Sequence, residues 1–259
     1  MCRTRHPNDK LEVFHVWRVP LHSVLHPIVQ ASSGQVIGHE ALLRGPTSSA
    51  WESPAQLFAE ADRQGDRVSL EQAARRLAVS RLPDLPSHQS LFVNIDPVVA
   101  PAVPPIPAPP DRVVLEIAET RPIGDDQALR SQIDAWRLQG HRIAIDDYGA
   151  GYMGVKTLLA LEPDIVKIDQ AVIRGLDHHP ARRAAVEAIM HVTQAIGPIL
   201  VIAEGVETPE EFWALQDCGV DYMQGYLFGK PQESPIRDVV SVLPTRTRPD
   251  ASTSREHRN

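Results

Sequence analysis

RIAIDDYGAGYMGVKTLLALEPDIVKID, residues Arg142–Asp169, decides the fold. Two short apolar, β-branched runs, Arg142–Ile145 and Asp164–Ile168, each open onto charge: Asp146-Asp147 after the first, Lys167 and Asp169 at the second. Such runs suit buried strands of a parallel sheet. Working outward, similar runs appear at Leu91–Ile95, Val113–Ile117, Pro198–Ala203 and Tyr222–Phe228. Helical periodicity fills several gaps between them. Asp125–Leu138 reads as an amphipathic helix closed by Gly140, and Ala181–Ile196 as another ended by Gly197-Pro198. Pro209–Gln216 follows Thr208 as N-cap and stops before Gly219, while Leu57–Leu82 holds helical material broken near Gly65. Strand alternating with helix predicts a parallel sheet with crossover helices. In a chain of 259 residues, closure into an α/β barrel is the most economical form.

Composition narrows the function classes. Hydrophobic residues are 42% of the chain and charged residues 23%, which excludes disorder as the dominant state. Lys and Arg number 26 against 33 Asp and Glu, a formal charge of -7, opposite to that of a protein held to nucleic acid by a broad basic face. Cys2 and Cys218 are too few for a disulfide scaffold or a metal finger. The N-terminal residues MCRTRHPNDK lack the apolar core of a signal peptide, and no run reaches the roughly 20 apolar residues of a membrane helix. The expectation is a soluble cytoplasmic protein with no membrane contact and no direct binding to polymeric nucleic acid. Residues 1–10 are expected to be flexible, 11–244 to form the barrel, and the polar stretch 245–259 to be disordered. Residues 97–110, PVVAPAVPPIPAPP, carry seven prolines, so an extended connection replaces all or part of one crossover helix there.

The strand ends carry the chemistry. Phe92-Val93 leads to Asn94, Val114-Leu115 to Glu116 and Ile143–Ile145 to Asp146-Asp147. Ile165-Val166 leads to Lys167 and Asp169, Val201–Ala203 to Glu204 and then Glu207, Tyr222-Met223 to Gln224, and Val36–Gly38 to Glu40. From 94 to 116, 146, 167 and then from 169 to 204 and 224, the steps are 22, 30, 21, 35 and 20 residues, each near one βα unit. One acid at a strand end is usually a cap or a solvated loop residue. Seven strands in register converge instead on the C-terminal face of a barrel, where active sites lie. Glu40, Asn94, Glu116, Asp146, Asp147 and Glu204 bring five carboxylates and an amide to one mouth, and like charges that close call for cations. Hard oxygen donors without His or Cys favour Mg²⁺ or Mn²⁺ over zinc, with Ca²⁺ able to compete. Adjacent Asp146 and Asp147 allow one carboxylate to bridge two ions about 3.5–4 Å apart, the clamp for in-line displacement at phosphorus. Lys167 would stabilise the attacking water or the developing charge, and Arg44 would hold a phosphate oxygen.

Read in order, these segments resemble the EAL domain, the family of cyclic di-GMP phosphodiesterases. The matching stretches are GHEALLRGP (Gly38–Pro46), FVNIDP (Phe92–Pro97), LEIAE (Leu115–Glu119), AIDDYGAGY (Ala144–Tyr152), VKID (Val166–Asp169), IAEGVET (Ile202–Thr208) and YMQGYLFGKP (Tyr222–Pro231). The resemblance starts near Leu25-His26-Pro27-Ile28 and reaches Pro231. It implies a modified (β/α)8 TIM-like barrel with an antiparallel first strand, for which Val13–Val19 is the candidate. It also implies hydrolysis of cyclic di-GMP to linear pGpG with two Mg²⁺ or Mn²⁺ ions, Ca²⁺ being inhibitory. Carried over by motif, Glu40, Asn94, Glu116 and Asp146 bind one metal, and Asp146 bridges to an ion held by Asp147 and Glu204. Glu204, Lys167 and Asp147 form the catalytic set, with Glu204 as general base or as ligand only. Substrate contacts fall on His26, Leu42, Arg44, Gln224 and Pro231. Asp169 and Glu207 support the metal ligands, and Glu119 anchors the loop Asp147–Met153. A homodimer is implied through the helices flanking the fifth and sixth strands, and regulation through a protein partner is a further expectation.

Departures from the family pattern bear on turnover. His26 stands where Gln is usual, Ala118 where Thr is usual, and Met153-Gly154 where serines are usual. Imidazole titrates near pH 6.5, so a contact through His26 would become pH-dependent. The alternative is therefore a catalytically weak receptor for cyclic di-GMP that signals through a partner. His39 is expected to point away from Glu40 as a structural or exposed residue, His178-His179 to be solvated, Cys218 to pack as a small apolar group, and Trp136 and Trp213 to face the core.

Overall fold

A computed structural model describes residues 18–100, 106–118, 126–151, 154–240 and 243–244. Its strands are β1 (His22–Gln30), β2 (Val36–Arg44), β3 (Ser90–Ile95), β4 (Val113–Ala118), β5 (Arg142–Tyr148), β6 (Ile165–Ile168), β7 (Leu200–Ala203) and β8 (Tyr222–Gln224). They close in sequence order into one barrel. β2 to β8 run parallel, whereas β1 is antiparallel to both β2 and β8. The reversed first strand is thus present, but not at Val13–Val19. Residues 13–17 of that candidate lie outside the described residues, and Arg18 and Val19 precede the strand, which is His22–Gln30. Pro27 hid it. Leu25 exchanges backbone hydrogen bonds with Gln232, so odd-numbered residues here turn their amides away from β2. Pro27 therefore misses a donor only where β1 passes between the partners of Ile28 (Gln224) and Leu25 (Gln232).

The helices are α1 (Pro54–Gln64), α2 (Arg67–Ser80), α3 (Gln127–Gln139), α4 (Val155–Leu161), α5 (Gln170–Ile173), α6 (Pro180–Ile196) and α7 (Pro209–Asp217). Gly65 ends α1 and Gly140 ends α3 in the left-handed region, as the sequence suggests. Among the described residues between β3 and β4 there is no α-helix, only the turn closed by Val99 N and Ala100 N on Asp96 O and the 3₁₀ turn Pro110–Arg112, consistent with a crossover stripped of its helix by proline. No helix among the described residues is long and apolar enough to cross a membrane. Residues 1–10 and the stretch 245–259 lie outside the described residues.

The outer core packs Trp136, Ile133 and Leu129 of α3 against β4 and β5, and Phe212 and Leu215 of α7 against β7 and β8. Trp136 is fully buried and Trp213 packs on the second cluster, both as expected. Inside the barrel a separate apolar layer consists of Ile28, Phe92, Val114, Ala144, Ile165 and Ile202. This layer sets the height of the site, because side chains two residues on point the same way.

Candidate metal centre at the barrel mouth

One pleat above the apolar layer, the same strands present polar groups. Phe92 is followed at +2 by Asn94, Val114 by Glu116, Ala144 by Asp146, Ile165 by Lys167 and Ile202 by Glu204. Glu40 and Gln224 reach the same level from β2 and β8. On reversed β1 the step runs backward, from Ile28 to His26, which lies opposite Glu40. The apolar floor buries this layer and excludes water from beneath it.

Lys167 is fully buried at its centre. Its Nζ lies 2.6 Å from Glu204 Oε1, 2.7 Å from Glu116 Oε1, 2.9 Å from Asp146 Oδ1 and 3.4 Å from Glu40 Oε2. Four carboxylates around one ammonium leave an excess of negative charge away from water. Burial pushes Glu116 and Glu204 well above the usual carboxylate range, and neighbouring carboxylates add to this despite Lys167. Asp146 is raised for the same reasons. Asp147, with φ 55°, is pushed up to about 7 by burial, Asp146 and Asp169. Glu40 moves the other way: Lys167 and hydrogen bonds from Asn94 and Gln224 outweigh its burial. Those bonds run from Asn94 Nδ2 to Oε1 at 2.8 Å and from Gln224 Nε2 to Oε2 at 3.0 Å. The four carboxylates hold Lys167 well above its ordinary value against the opposing effect of burial.

The residues fit divalent cations on their own chemistry. Glu40, Glu116 and Asp146 form one group and Asp146, Asp147 and Glu204 another, each offering oxygens within 4.8 Å of one another. Asp146 belongs to both. Both oxygens of Glu116 and Oδ1 of Asp146 are buried without a hydrogen-bond partner, although Lys167 is near. An ammonium has three protons and cannot satisfy four carboxylates. Uncompensated buried carboxylate oxygens are the donors that hard cations take.

Of the remaining candidate residues, some join this ring and others do not. His26 does: its Nε2 is buried without a hydrogen-bond partner, its ring meets Tyr226 edge-on at 6.2 Å, and burial lowers its pKa. It is therefore neutral at neutral pH. Asp169 caps α5 by accepting from Ala171 N at 2.7 Å and also neighbours Asp147. Glu207 pairs with Arg174 at 2.7 Å toward the surface. Arg44 is half-buried at the end of β2, where Nη1 donates to Leu43 O at 2.7 Å. Pro231 lies beside Gln232, the partner of Leu25. Glu119 and Met153 lie outside the described residues. His39 points out of the barrel but is buried rather than exposed, and its Nε2 accepts from Ile236 N at 3.1 Å.

A cavity of about 230 Å³ opens beside the ring along His26, Asp147, Asp169 and Glu204. A second, of about 290 Å³, meets the ring at Glu40 and Asn94 and extends under α2 past Leu42, Arg67, Glu71 and Arg75. The strand-end pattern did not reveal these α2 residues. The available signal was their spacing, i and i+4, on a helix whose Leu70, Ala73 and Ala78 face the barrel.

An eight-stranded α/β barrel with one reversed strand and an acidic, cation-fitting mouth is the class that fold and site define. The chain belongs to the EAL domain family, whose family model matches residues 20–231. It is 29% identical over 227 residues to a protein of Escherichia coli K12 named "Probable cyclic di-GMP phosphodiesterase PdeB", covering 82% of this chain and 43% of that protein. Over 230 residues it is 26% identical to "Blue light- and temperature-regulated antirepressor BluF" of the same organism, covering 84% of this chain and 56% of that one. Curated relatives thus extend well beyond the span matched here. Among solved structures, the calcium and cyclic di-GMP complex of Klebsiella pneumoniae BlrP1 is similar with TM-score 0.77 and 31% identity, covering 87% of this chain and 59% of that one.

Proposed function

We propose that this chain is a metal-dependent phosphodiesterase that hydrolyses cyclic di-GMP to linear pGpG. The observation that carries the proposal is the pair of acidic groups sharing Asp146 around Lys167, in a family whose relatives are named for cyclic di-GMP. Glu40, Asn94, Glu116 and Asp146 would hold one Mg²⁺ or Mn²⁺ ion, and Asp146, Asp147 and Glu204 a second. Bound there, two such ions supply Lewis acidity and a clamp for in-line displacement at phosphorus. The chain's own residues do the rest. Lys167 opposes the protonation that burial favours in these carboxylates, and its positive charge stabilises charge developing on the phosphoryl oxygens. Gln224 and Asn94 fix the Glu40 carboxylate. Arg44, freed from Leu43 O, binds the phosphate that is not cut. Asp169 orients Asp147, and Glu207, through Arg174, steadies the loop after β7. His26, held neutral, contacts substrate without adding a charge. Residues 11–244 would form the folded unit and a homodimer the working form.

The test is chromatography of purified protein with cyclic di-GMP and Mg²⁺ or Mn²⁺, beside Glu40→Ala and Glu204→Ala. Formation of pGpG by the wild type alone is expected, and its suppression by Ca²⁺. Binding without cleavage under every metal would replace the hydrolase with a receptor, the role that similarity to an antirepressor would favour.

A further inference from the structure

Two buried polar side chains of the barrel wall are spent on a segment that belongs to no strand. After β8 the chain runs beside the mouth as a loop, 225–231, and returns past β1 and β2 as a strap, 232–240. Most of the strap is exposed, and its backbone bridges the barrel at Gln232 with Leu25 and at Val239 with Gln35. Between those bridges side chains hold it. His39 and Gln89 are both fully buried. His39 Nε2 accepts from Ile236 N at 3.1 Å, and Gln89 Nε2 donates to Ile236 O at 3.2 Å and to Arg237 O at 2.6 Å. Burial lowers His39 to about 4, so the ring is neutral and its proton sits on Nδ1. Arg81 adds a tie by donating to Ser23 O in β1 and to Glu233 O in the strap.

Ile236 matters for what rests on it. A Cβ on Gly229 would lie 3.2 Å from Ile236 Cδ1 and 3.5 Å from Pro27 Cγ, so the loop sits directly against this side chain. The same loop sets Tyr226 edge-on to His26 at 6.2 Å, with Lys230 Nζ 5.4 Å from the Tyr226 ring centroid. Tyr226 lines the 230 Å³ cavity beside the acidic ring, whereas His39 and Gln89 do not. We propose that His39 and Gln89 are positioning residues: by holding Ile236 beneath Gly229 they seat the loop 225–231 at the barrel mouth. A segment with an exposed backbone and few apolar contacts opens easily unless it is tied down. Without its acceptor the Ile236 amide loses its partner, and the loop loses its support. For its effect on turnover, though not for the seating itself, the inference rests on the phosphodiesterase reading above.

Hydrogen exchange read by mass spectrometry on the full chain, beside cyclic di-GMP kinetics with Mn²⁺, tests this. His39→Leu removes the acceptor, whereas His39→Gln carries an amide oxygen to the neighbourhood of Nε2. In His39→Leu the amides of 225–240 should exchange about tenfold faster, while β4 to β6 stay as protected as in the wild type. Its KM should rise about fivefold with kcat unchanged, the mark of binding lost equally from ground and transition states. His39→Gln should restore both. Gln89→Met should repeat the leucine pattern, and so should Ile236→Ala, at a half-buried strap position whose truncation leaves the barrel intact. Mn²⁺ affinity should not change in any of them, because Glu40 keeps its neighbours in β1 and β3. Unchanged exchange over 225–231 in Ile236→Ala and His39→Leu overturns the proposal. So does a fall in kcat or in Mn²⁺ affinity at constant KM, which would make the two residues supports of Glu40 instead. If the wild type leaves cyclic di-GMP intact, the functional assignment falls, and exchange over 225–231 still decides whether the strap seats the loop.

Discussion

Lys167 is the residue on which the mouth depends. A buried ammonium among four carboxylates is stabilising only while its partners are ionised, and removing one member of such a network typically costs about 3–5 kcal/mol. Lys167→Met should therefore abolish hydrolysis and lower the melting temperature. The loss should be larger in EDTA than with Mn²⁺, because cations would take over part of the neutralisation. Equal losses in both conditions would mean that the ring does not gather cations. Glu71 supports a second prediction at this scale. It faces Arg67 and Arg75 from α2, Asp96 from beyond β3 and Glu40 across the cavity. Its carboxyl titrates near 7 when folded and near 4.5 when unfolded. Below the lower value both states are protonated and Glu71 contributes no pH dependence. Between the two values only the unfolded chain ionises, so stability falls as pH rises and levels off above about 7. The full span corresponds to at most about 3 kcal/mol. Urea midpoints at pH 5 and pH 8 should show Glu71→Gln gaining on the wild type at the higher pH; parallel changes would place Glu71 in contact with water.

At the scale of elements, α7 shows how one side chain holds two loops. Thr208 and Glu211 form a capping box, with Glu211 N donating to Thr208 Oγ1 at 3.2 Å. Glu211 is 3% exposed, and its carboxylate also accepts from Gly175 N and Glu207 N, each at 3.0 Å. It thus ties the loop carrying Glu204 to the segment after α5. Glu211→Ala removes the cap contribution and strands buried amides, for an expected loss of about 2–3 kcal/mol with weaker Mn²⁺ binding. Glu211→Gln, which keeps an acceptor, should lose less. A change within about 0.5 kcal/mol for the alanine variant, measured by denaturation, would refute this role. The Thr208 N-cap was legible in the sequence because it needs only local spacing; the part of Glu211 in it was not read. β3 to β7 were legible because apolar runs end in polar groups at the spacing of a βα unit. β1 was not: HSVLHPIVQ carries two histidines and a proline, and only one of its edges pairs locally, with β2, while the other meets residues almost 200 positions away. For the same reason the buried face of α2 was hidden, since Glu71 and Arg75 read locally as surface charge. The convergence on Lys167 was anticipated only as a shared mouth; its four-way contact follows from the registers of five strands.

For the whole molecule, closure of the barrel governs the site, and closure is thinnest at β8. That strand has three residues and pairs with β7 at two positions and with β1 at three. The seam is reinforced from outside the ladder. Val206 N donates to Gln224 O at 3.1 Å, and Leu227 N returns to Val206 O at 3.1 Å. Gly225 sits inside this exchange: a Cβ there would lie 2.1 Å from Val206 O and 2.3 Å from Val206 N. The Val206 backbone cannot yield as a flexible side chain would, so Gly225→Ala must move the segment that follows Glu204 or withdraw Gln224 from Glu40. Either displacement disturbs one edge of the acidic ring. The expected cost, about 3 kcal/mol or more as for other overpacked sites, corresponds to a melting temperature lower by about 6–12 °C in a chain of this size. Gly197→Ala is the control, with nothing within 4 Å of its added Cβ. The informative readout is Mn²⁺ affinity measured on folded protein below the melting temperature of both variants. Gly225→Ala should bind at least tenfold more weakly, while Gly197→Ala matches the wild type. Intact Mn²⁺ affinity in a destabilised Gly225→Ala would mean that the ring is held by its own strands and that the seam at β8 serves stability alone.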